Sequence, residues 1–312
     1  VDIDLICDGK DVFIGAIMEH IEEAGIHSGD SGCSIPPYTL SDSILMRLRK
    51  QVRQLALELN VIGLMNTQFA IKENEIFLLE VNPRASRTAP FVSKAIGIQL
   101  AKIGAIVMAG KSLKDLKLTQ EVVPNYFSVK EAVLPFSKFP EVDVLLGPEM
   151  KSTGEVMGIG KSFGEAYFKA QRAAGVILPK TGNVFLSVRD KDKSAICSIA
   201  KDLIDIGFNL YATRGTQKYL EEKNIGCNKV NKVKEGQPHI VDMIKNGEVH
   251  LIINTTEGAR SIKDSFSIRK EANNNNVCLT TTISGAKAFC KAILFIDNFD
   301  ATDIQSRHDT IN

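Results

Sequence analysis

The chain has 312 residues, of which 44% are hydrophobic and 24% charged, and its formal net charge is +1 at pH 7. That length holds two domains, with room for a smaller third unit, and the apolar share is enough for proper cores. A balance this close to neutral gives no bulk field for nucleic acid or an anionic membrane, and no apolar run approaches the roughly 20 residues that span a bilayer.

The opening VDIDLICDGK is neither a signal peptide nor an initiating Met, and it reads as something cut from a longer protein. The two alternating runs around Asp8-Gly9 predict a β-hairpin. In SDSILMRLRKQVRQLALELN, Leu45, Leu48, Val52, Leu55 and Leu59 recur at steps of three and four, which predicts an amphipathic helix entered at Ser41 and closed near Asn60. MNTQFAI-KEN-EIFLLEVN predicts a second hairpin, so the N-terminal block is antiparallel β plus helix. From 110 to about 178 the pattern loosens, punctuated by Pro124, Pro135, Pro140, Pro148 and Pro179. After Thr181-Gly182 short β-rich runs (VFLSVR, FNLYAT, VHLIIN, VCLTTT) alternate with helical segments such as SAICSIAKDLIDIG, where Ile196, Ile199, Leu203 and Ile206 share a face. Repeated βα units predict a doubly wound parallel sheet, with the boundary near residue 175. The NNNN run at 273–276 is expected to be a polar loop. The six cysteines (Cys7, Cys33, Cys197, Cys227, Cys278, Cys290) have no C-x-x-C spacing; reduced, mostly buried thiols in a cytoplasmic protein are expected, ahead of disulfides or zinc.

FLLEVNPRASRT, residues 77–88, runs an apolar strand into a carboxylate, an amide and two guanidiniums. Phe77, Leu78 and Leu79 read as core. Pairing Lys72 with Ile76 leaves a three-residue corner, sets Phe69 against Leu79 and Ile71 against Phe77, and puts Gln68 opposite Glu80 with Asn82 on the same side. One carboxylate and two amide carbonyls suit a hard cation such as Mg²⁺ that takes further oxygens from a polyphosphate. Arg84 and Arg87 follow where they can neutralise a transferring phosphoryl group. Each residue alone is better read as a solvated strand edge; the set together favours a site.

Those residues, with MEHIEEAGIHSGDS before them and FVSKAIGIQLAKIG and YFSVKEAVLPFSKFPEVDVLLGPEMKSTGEVMG after them, resemble the ATP-grasp fold as it occurs in the large subunit of carbamoyl-phosphate synthetase. The resemblance covers essentially the whole chain. It implies residues 1–109 as the metal- and nucleotide-binding part of an ATP-grasp domain, 110–174 as a connecting region completing that synthetase half, and 175–312 as an allosteric domain similar to methylglyoxal synthase. It further implies ATP-dependent phosphorylation of carbamate for pyrimidine or arginine biosynthesis, with ATP and Mg²⁺ (or Mn²⁺) as cofactors. A glutamine amidotransferase small subunit is the implied partner in a hetero-oligomer, with no nucleic acid and no membrane. By the same resemblance Gln68, Glu80 and Asn82 are metal ligands, Gln68 and Glu80 also meet the nucleotide, Gly25, Ile26, His27 and Ser28 contact ATP, and Arg87, assisted by Arg84, stabilises the phosphoryl in flight. The fold also needs an upstream glycine-rich lobe that nothing in the sequence supplies, so the chain by itself is expected to be inactive. The alternative is a free-standing nucleotide-binding regulatory module without turnover.

In open parallel sheets ligands sit beyond the carboxyl ends of the strands. Those ends read YATRGT, NKVNKVKEG and INTTEG, where Thr213 and Thr216 are either N-caps or phosphate contacts at a helix start. The resemblance implies the second, placing a uridine or purine nucleotide monophosphate on Ser187, Lys193, Thr213, Thr216, Lys232, Asn254 and Thr256. A methylglyoxal synthase would carry its acid in a Gly-Asp-Gln stretch, where this chain has Gln237 and Pro238. Glu22, Asp30, Glu131 and Thr281 match the contacts of a second, cationic effector, although Leu279 stands where an aromatic is usual.

Overall fold

The computed structural model describes residues 1–139, 142–301 and 303–310; Pro140, Glu141, Thr302 and the last two residues lie outside them. Chain order runs β1 (Asp2–Asp8), β2 (Val12–His20), β3 (Cys33–Ile35), α1 (Asp42–Glu58), β4 (Ile62–Lys72), β5 (Glu75–Asn82), α2 (Ala89–Ile96), α3 (Leu100–Met108), β6 (Phe127–Val133), β7 (Gly154–Gly160) and α4 (Phe163–Ala173). It continues with β8 (Gly182–Ser187), α5 (Lys193–Ile206), β9 (Phe208–Thr213), α6 (Arg214–Glu221), β10 (Asn228–Val230), α7 (Ile240–Lys245), β11 (Leu251–Asn254), α8 (Gly258–Asp264), α9 (Phe266–Asn274), β12 (Cys278–Thr280), α10 (Ile283–Ile293) and α11 (Ile304–His308). Among the described residues no single helix is long and apolar enough to cross a membrane.

Two sheets organise the chain. The first has seven strands in the order β5-β4-β1-β2-β3-β6-β7, all antiparallel neighbours; the second has five parallel strands in the order β10-β9-β8-β11-β12. β6 and β7 lie in the loosely patterned stretch after residue 110, yet they complete the first sheet. Helix α4 then packs between the units: Phe163, Tyr167 and Phe168 join one continuous core with Val129 of β6 and with Val184, Leu186 and Phe289 of the second unit.

Helix α1 forms as expected, with the Ser41 hydroxyl accepting from the Ile44 amide, but its buried line is Ile44, Leu48, Val52 and Ala56. The apolar stripe is wider than the contact, so Leu59, the residue that closes the helix, is exposed. In the second unit α5 ends at Gly207 (φ 109°), whose left-handed backbone closes the helix before β9. The strand expected to end in NKVNKVKEG is β10, only three residues long and paired with β9 at the edge of the sheet. The asparagine run is half helical: α9 extends through Asn274, and Asn273 donates to the Phe136 carbonyl at 3.1 Å.

The β4–β5 hairpin corrects its expected register. Lys72 pairs with Glu75, leaving a two-residue turn at Glu73 and Asn74, both at positive φ (52° and 66°). Phe69 therefore faces Leu78 and Ile71 faces Ile76. A bulge between Gln68 and Phe69 then absorbs one residue and brings Gln68 opposite Glu80 after all. Phe77, Leu78 and Leu79 are not core: β5 is the edge strand, and they are 52%, 46% and 49% exposed.

Candidate site at the edge of the first sheet and the opposite ends of the second

Glu80 and Gln68 are direct cross-strand partners, and Asn82 Nδ2 donates to Glu80 Oε1 at 3.0 Å. Beyond Gln68 the row continues to Asp2 of β1, which also contacts His20 at the end of β2 (3.4 Å). All three expected ligands therefore stand together on one rim, with Glu80 exposed and Gln68 half-buried. They offer one carboxylate and two amide oxygens, a hard-donor set that fits Mg²⁺ or Mn²⁺ sharing its remaining positions with phosphate. A half-turn of the Asn82 amide presents its oxygen on the side where its nitrogen now meets Glu80.

The exit loop is fastened to the sheet. Buried Asp4 accepts from Thr88 Oγ1 at 2.6 Å on one oxygen and from Asn66 Nδ2 at 3.0 Å on the other. Burial pushes the Asp4 carboxyl above its usual range, against the hydrogen bonds from Thr88, Ser86 and Asn66. Ser86 caps α2 through the Ala89 amide (2.9 Å). On this loop Arg84, before the anchors, and Arg87, between them, are exposed: the Arg84 side chain turns back to the Ala85 carbonyl (2.9 Å), and Arg87 touches the Met150 sulfur.

The Gly25–Ser28 loop leaves β2 at the same end. The His27 amide donates to the Gly147 carbonyl (2.8 Å), His27 Nδ1 accepts from the Gly29 amide (3.0 Å), and buried Lys130 donates to the Ser28 carbonyl (3.0 Å). A Cβ on Gly29 would come within 3.0 Å of the Met150 sulfur and 3.1 Å of His27 Nδ1. Met150 thus links the loop to Arg87. Lys130, Asp4, Thr88 and Met150 were invisible to sequence reading, because their partners lie 62 to 102 positions away or are ordinary apolar contacts.

Of the four residues expected at a second effector site, Glu22 and Glu131 meet around Gly32: Glu22 accepts from the Gly32 amide (2.7 Å), and a Cβ on Gly32 would lie 2.9 Å from Glu131 Oε2. Burial first, and the Glu131 charge second, push Glu22 up to about 8; burial pushes Glu131 up to about 7. Asp30 turns elsewhere, accepting from the Lys151 and Ser152 amides (2.8 and 2.9 Å). Thr281 follows directly after β12. Because both glutamates bind their protons more tightly folded than unfolded, their contribution is present at low pH and is lost as pH rises from about 4.5 to about 8. The melting temperature is expected to fall from pH 6 to pH 8.5, and Glu22→Gln is expected to flatten that slope. An unchanged slope in the variant would contradict the buried pair.

In the second unit Ser187, Thr213 and Asn254 sit at the carboxyl ends of adjacent strands: Asn254 pairs with Ser187, and Thr213 Oγ1 lies 3.4 Å from Ser187 Oγ. Asn254 is buried, and among the described residues its Oδ1 has no hydrogen-bond partner. Thr216 Oγ1 accepts from the Val188 amide (3.2 Å), so its oxygen staples the β8 loop while its hydrogen stays available. Lys193 Nζ approaches Gly215 in the first turn of α6 (3.7 Å from an ideal Cβ) and pairs with Asp190 at 2.8 Å. Lys232 is exposed beyond β10, and the Thr256 carbonyl accepts from Arg189 (3.4 Å).

Two family profiles match: "Carbamoyl-phosphate synthase L chain, ATP binding domain" over residues 1–116, and "MGS-like domain" over residues 195–281. The chain is 58% identical over 308 residues to the carbamoyl phosphate synthase large chain of Pseudomonas putida, 56% over 315 residues to that of Xanthomonas axonopodis pv. citri, and 53% over 309 residues to that of Neisseria meningitidis. Each alignment covers 99% of this chain and 29% of the relative, so the chain spans under a third of the length of these relatives. With an ATP-grasp-type segment on the first sheet and an MGS-like parallel sheet after it, the chain belongs to the carbamoyl phosphate synthase large-chain family.

Proposed function

We propose that, within a full-length synthase, this segment supplies the metal-binding part of the ATP site that phosphorylates carbamate, and that its second sheet carries a nucleotide effector site. The observation behind the first half is the convergence of Gln68, Glu80 and Asn82 on one rim, with Arg84 and Arg87 on the loop that leaves it. A bound Mg²⁺ or Mn²⁺ would screen the phosphate charges of ATP. Gln68, Glu80 and Asn82 would hold that cation; the Gly25–Ser28 loop holds the nucleotide, and Arg87 meets charge developing on the transferred group. The division we propose is 1–109 for this part of the ATP-grasp domain, 110–174 for its completion and 175–312 for the effector domain. A glutamine amidotransferase subunit supplies ammonia in a cytoplasmic hetero-oligomer. Residues 1–312 alone turn over nothing, since the rim is open and the arginines are solvated.

The test of this reading is ATP formation from carbamoyl phosphate and Mg·ADP by the full-length protein, which must depend on this rim while glutamine hydrolysis does not. The effector half is tested on the 312-residue chain. Lys193→Ala removes the cation beside the start of α6, and charge-assisted contacts of this kind contribute ~1.5–3 kcal/mol. Calorimetric affinity for uridine or inosine 5′-monophosphate is expected to fall roughly tenfold to a hundredfold, with Lys232→Ala smaller because that side chain is exposed. The nucleosides should bind parent and variant alike. Equal affinity of nucleoside and nucleotide for the parent would reduce Thr213 and Thr216 to caps.

A further inference from the structure

Arg269 belongs to α9 of the second unit, yet its guanidinium is fully buried against a residue 126 positions earlier in the chain. Nε donates to Asp143 Oδ1 at 2.7 Å and Nη2 to Asp143 Oδ2 at 2.5 Å. A two-pronged guanidinium–carboxylate pair fixes orientation as well as distance. Burial disfavours the Asp143 charge, but the Arg269 hydrogen bonds and the Arg269 and Lys151 charges more than offset it, and its carboxyl stays below the usual range.

Asp143 opens a segment without regular structure that runs to Ser152 and is held only by its side-chain and backbone contacts. Lys151 Nζ ties that segment together through the carbonyls of Leu145 (2.6 Å) and Asp143 (3.3 Å). Its far side carries the nucleotide loop: Gly147 accepts from the His27 amide, and Ser152 Oγ donates to the Gly29 carbonyl (3.0 Å). Met150, on the same segment, is the residue Arg87 touches. In the other direction Ser265, the residue before α9, has its hydroxyl 3.5 Å from Asn254 Nδ2 on the effector rim. The path from Asn254 runs through Ser265, whose carbonyl accepts from the Arg269 amide (3.2 Å), to Asp143 and along the 143–152 segment to His27 and Arg87.

We propose that Arg269 is a positioning residue for the ATP site: by holding Asp143 it sets the 143–152 segment, and so makes the His27 loop and Arg87 answer to what occupies the second sheet. The proposal rests on the functional reading above. Linkage of this kind is reciprocal between the two ligands and typically amounts to about 5–150-fold in affinity.

The experiment uses the full-length protein, with ATP formation from carbamoyl phosphate and Mg·ADP as the assay and uridine and inosine 5′-monophosphate as separate probes. For Arg269→Gln, KM for Mg·ADP should rise about tenfold with kcat within about twofold, a split of uniform binding from chemistry. The effect of each nucleotide on that KM should collapse towards a ratio of about 1, and the effects of nucleotide and Mg·ADP on each other's dissociation constants should shrink together by one factor. Nucleotide affinity measured without Mg·ADP should stay within about twofold. Asp143→Asn keeps shape while removing the charge and should give the same pattern if Arg269→Gln does not fold. Exchanging the partners, Asp143→Arg with Arg269→Asp, should recover part of the coupling. Undiminished coupling with parental KM in either folded single variant overturns the proposal. If neither nucleotide binds the parent, the effector reading fails instead, and the KM–kcat split alone decides the positioning claim.

Discussion

Glu80→Gln in a full-length protein carrying this segment is expected to cut ATP formation from carbamoyl phosphate and Mg·ADP by on the order of a hundredfold to a thousandfold. Glu80 is the one acid in the set: Gln68 faces it across the strand pair and Asn82 donates to it, and both are neutral amides. Its replacement leaves the Gln68–residue 80–Asn82 donor set with no formal negative charge to hold a divalent cation against water. The substitution is nearly isosteric on an exposed edge strand, so the fold should survive with an unchanged melting temperature. Glutamine hydrolysis and the ATP use that precedes carbamate formation should continue at parental rates. Normal carbamoyl phosphate synthesis in this variant would remove the rim from the reaction.

Arg87→Ala should be at least as damaging to phosphoryl transfer, with an arginine at the transferred group contributing on the order of a thousandfold or more to kcat. The expected signature differs from that of Glu80. Arg87 is a cation that takes no metal and is exposed on the loop between Ser86 and Thr88, so KM for Mg·ADP should move little while kcat falls. Arg87→Lys should retain part of the rate, since charge is kept but the planar fork is lost. Arg84→Ala should cost less, because that side chain turns back to its own loop at Ala85. A large KM effect with intact kcat would place Arg87 in nucleotide binding.

What was legible in the sequence followed from local rules. Asp8-Gly9 made its hairpin, Ser41 capped its helix, and the β-rich runs after Thr181 paired in parallel as βα units must. The Gln68–Glu80 pairing was reached by a compensating error: the turn is one residue shorter than expected, and the bulge at Gln68/Phe69 restores the register. Pattern alone cannot reveal a bulge, because period-two alternation carries no information about an unpaired residue. Phe77, Leu78 and Leu79 misled for a related reason, since an apolar run says nothing about whether its strand is central or at an edge. The rest was out of reach because it is long-range. Asp4 with Thr88, Lys130 with Ser28 and Arg269 with Asp143 join positions 84, 102 and 126 residues apart, and none has a spacing that marks it.

The most direct test of the rim is to count the metal it holds, independently of turnover. Mn²⁺ binding to the full-length protein can be followed by its paramagnetic resonance signal in the presence of ADP, for the parent and for Glu80→Gln. The variant is expected to lose nucleotide-dependent Mn²⁺ equivalents that the parent binds, while its remaining sites titrate as before. Superimposable titrations for parent and variant would contradict the assignment of Gln68, Glu80 and Asn82 as metal ligands.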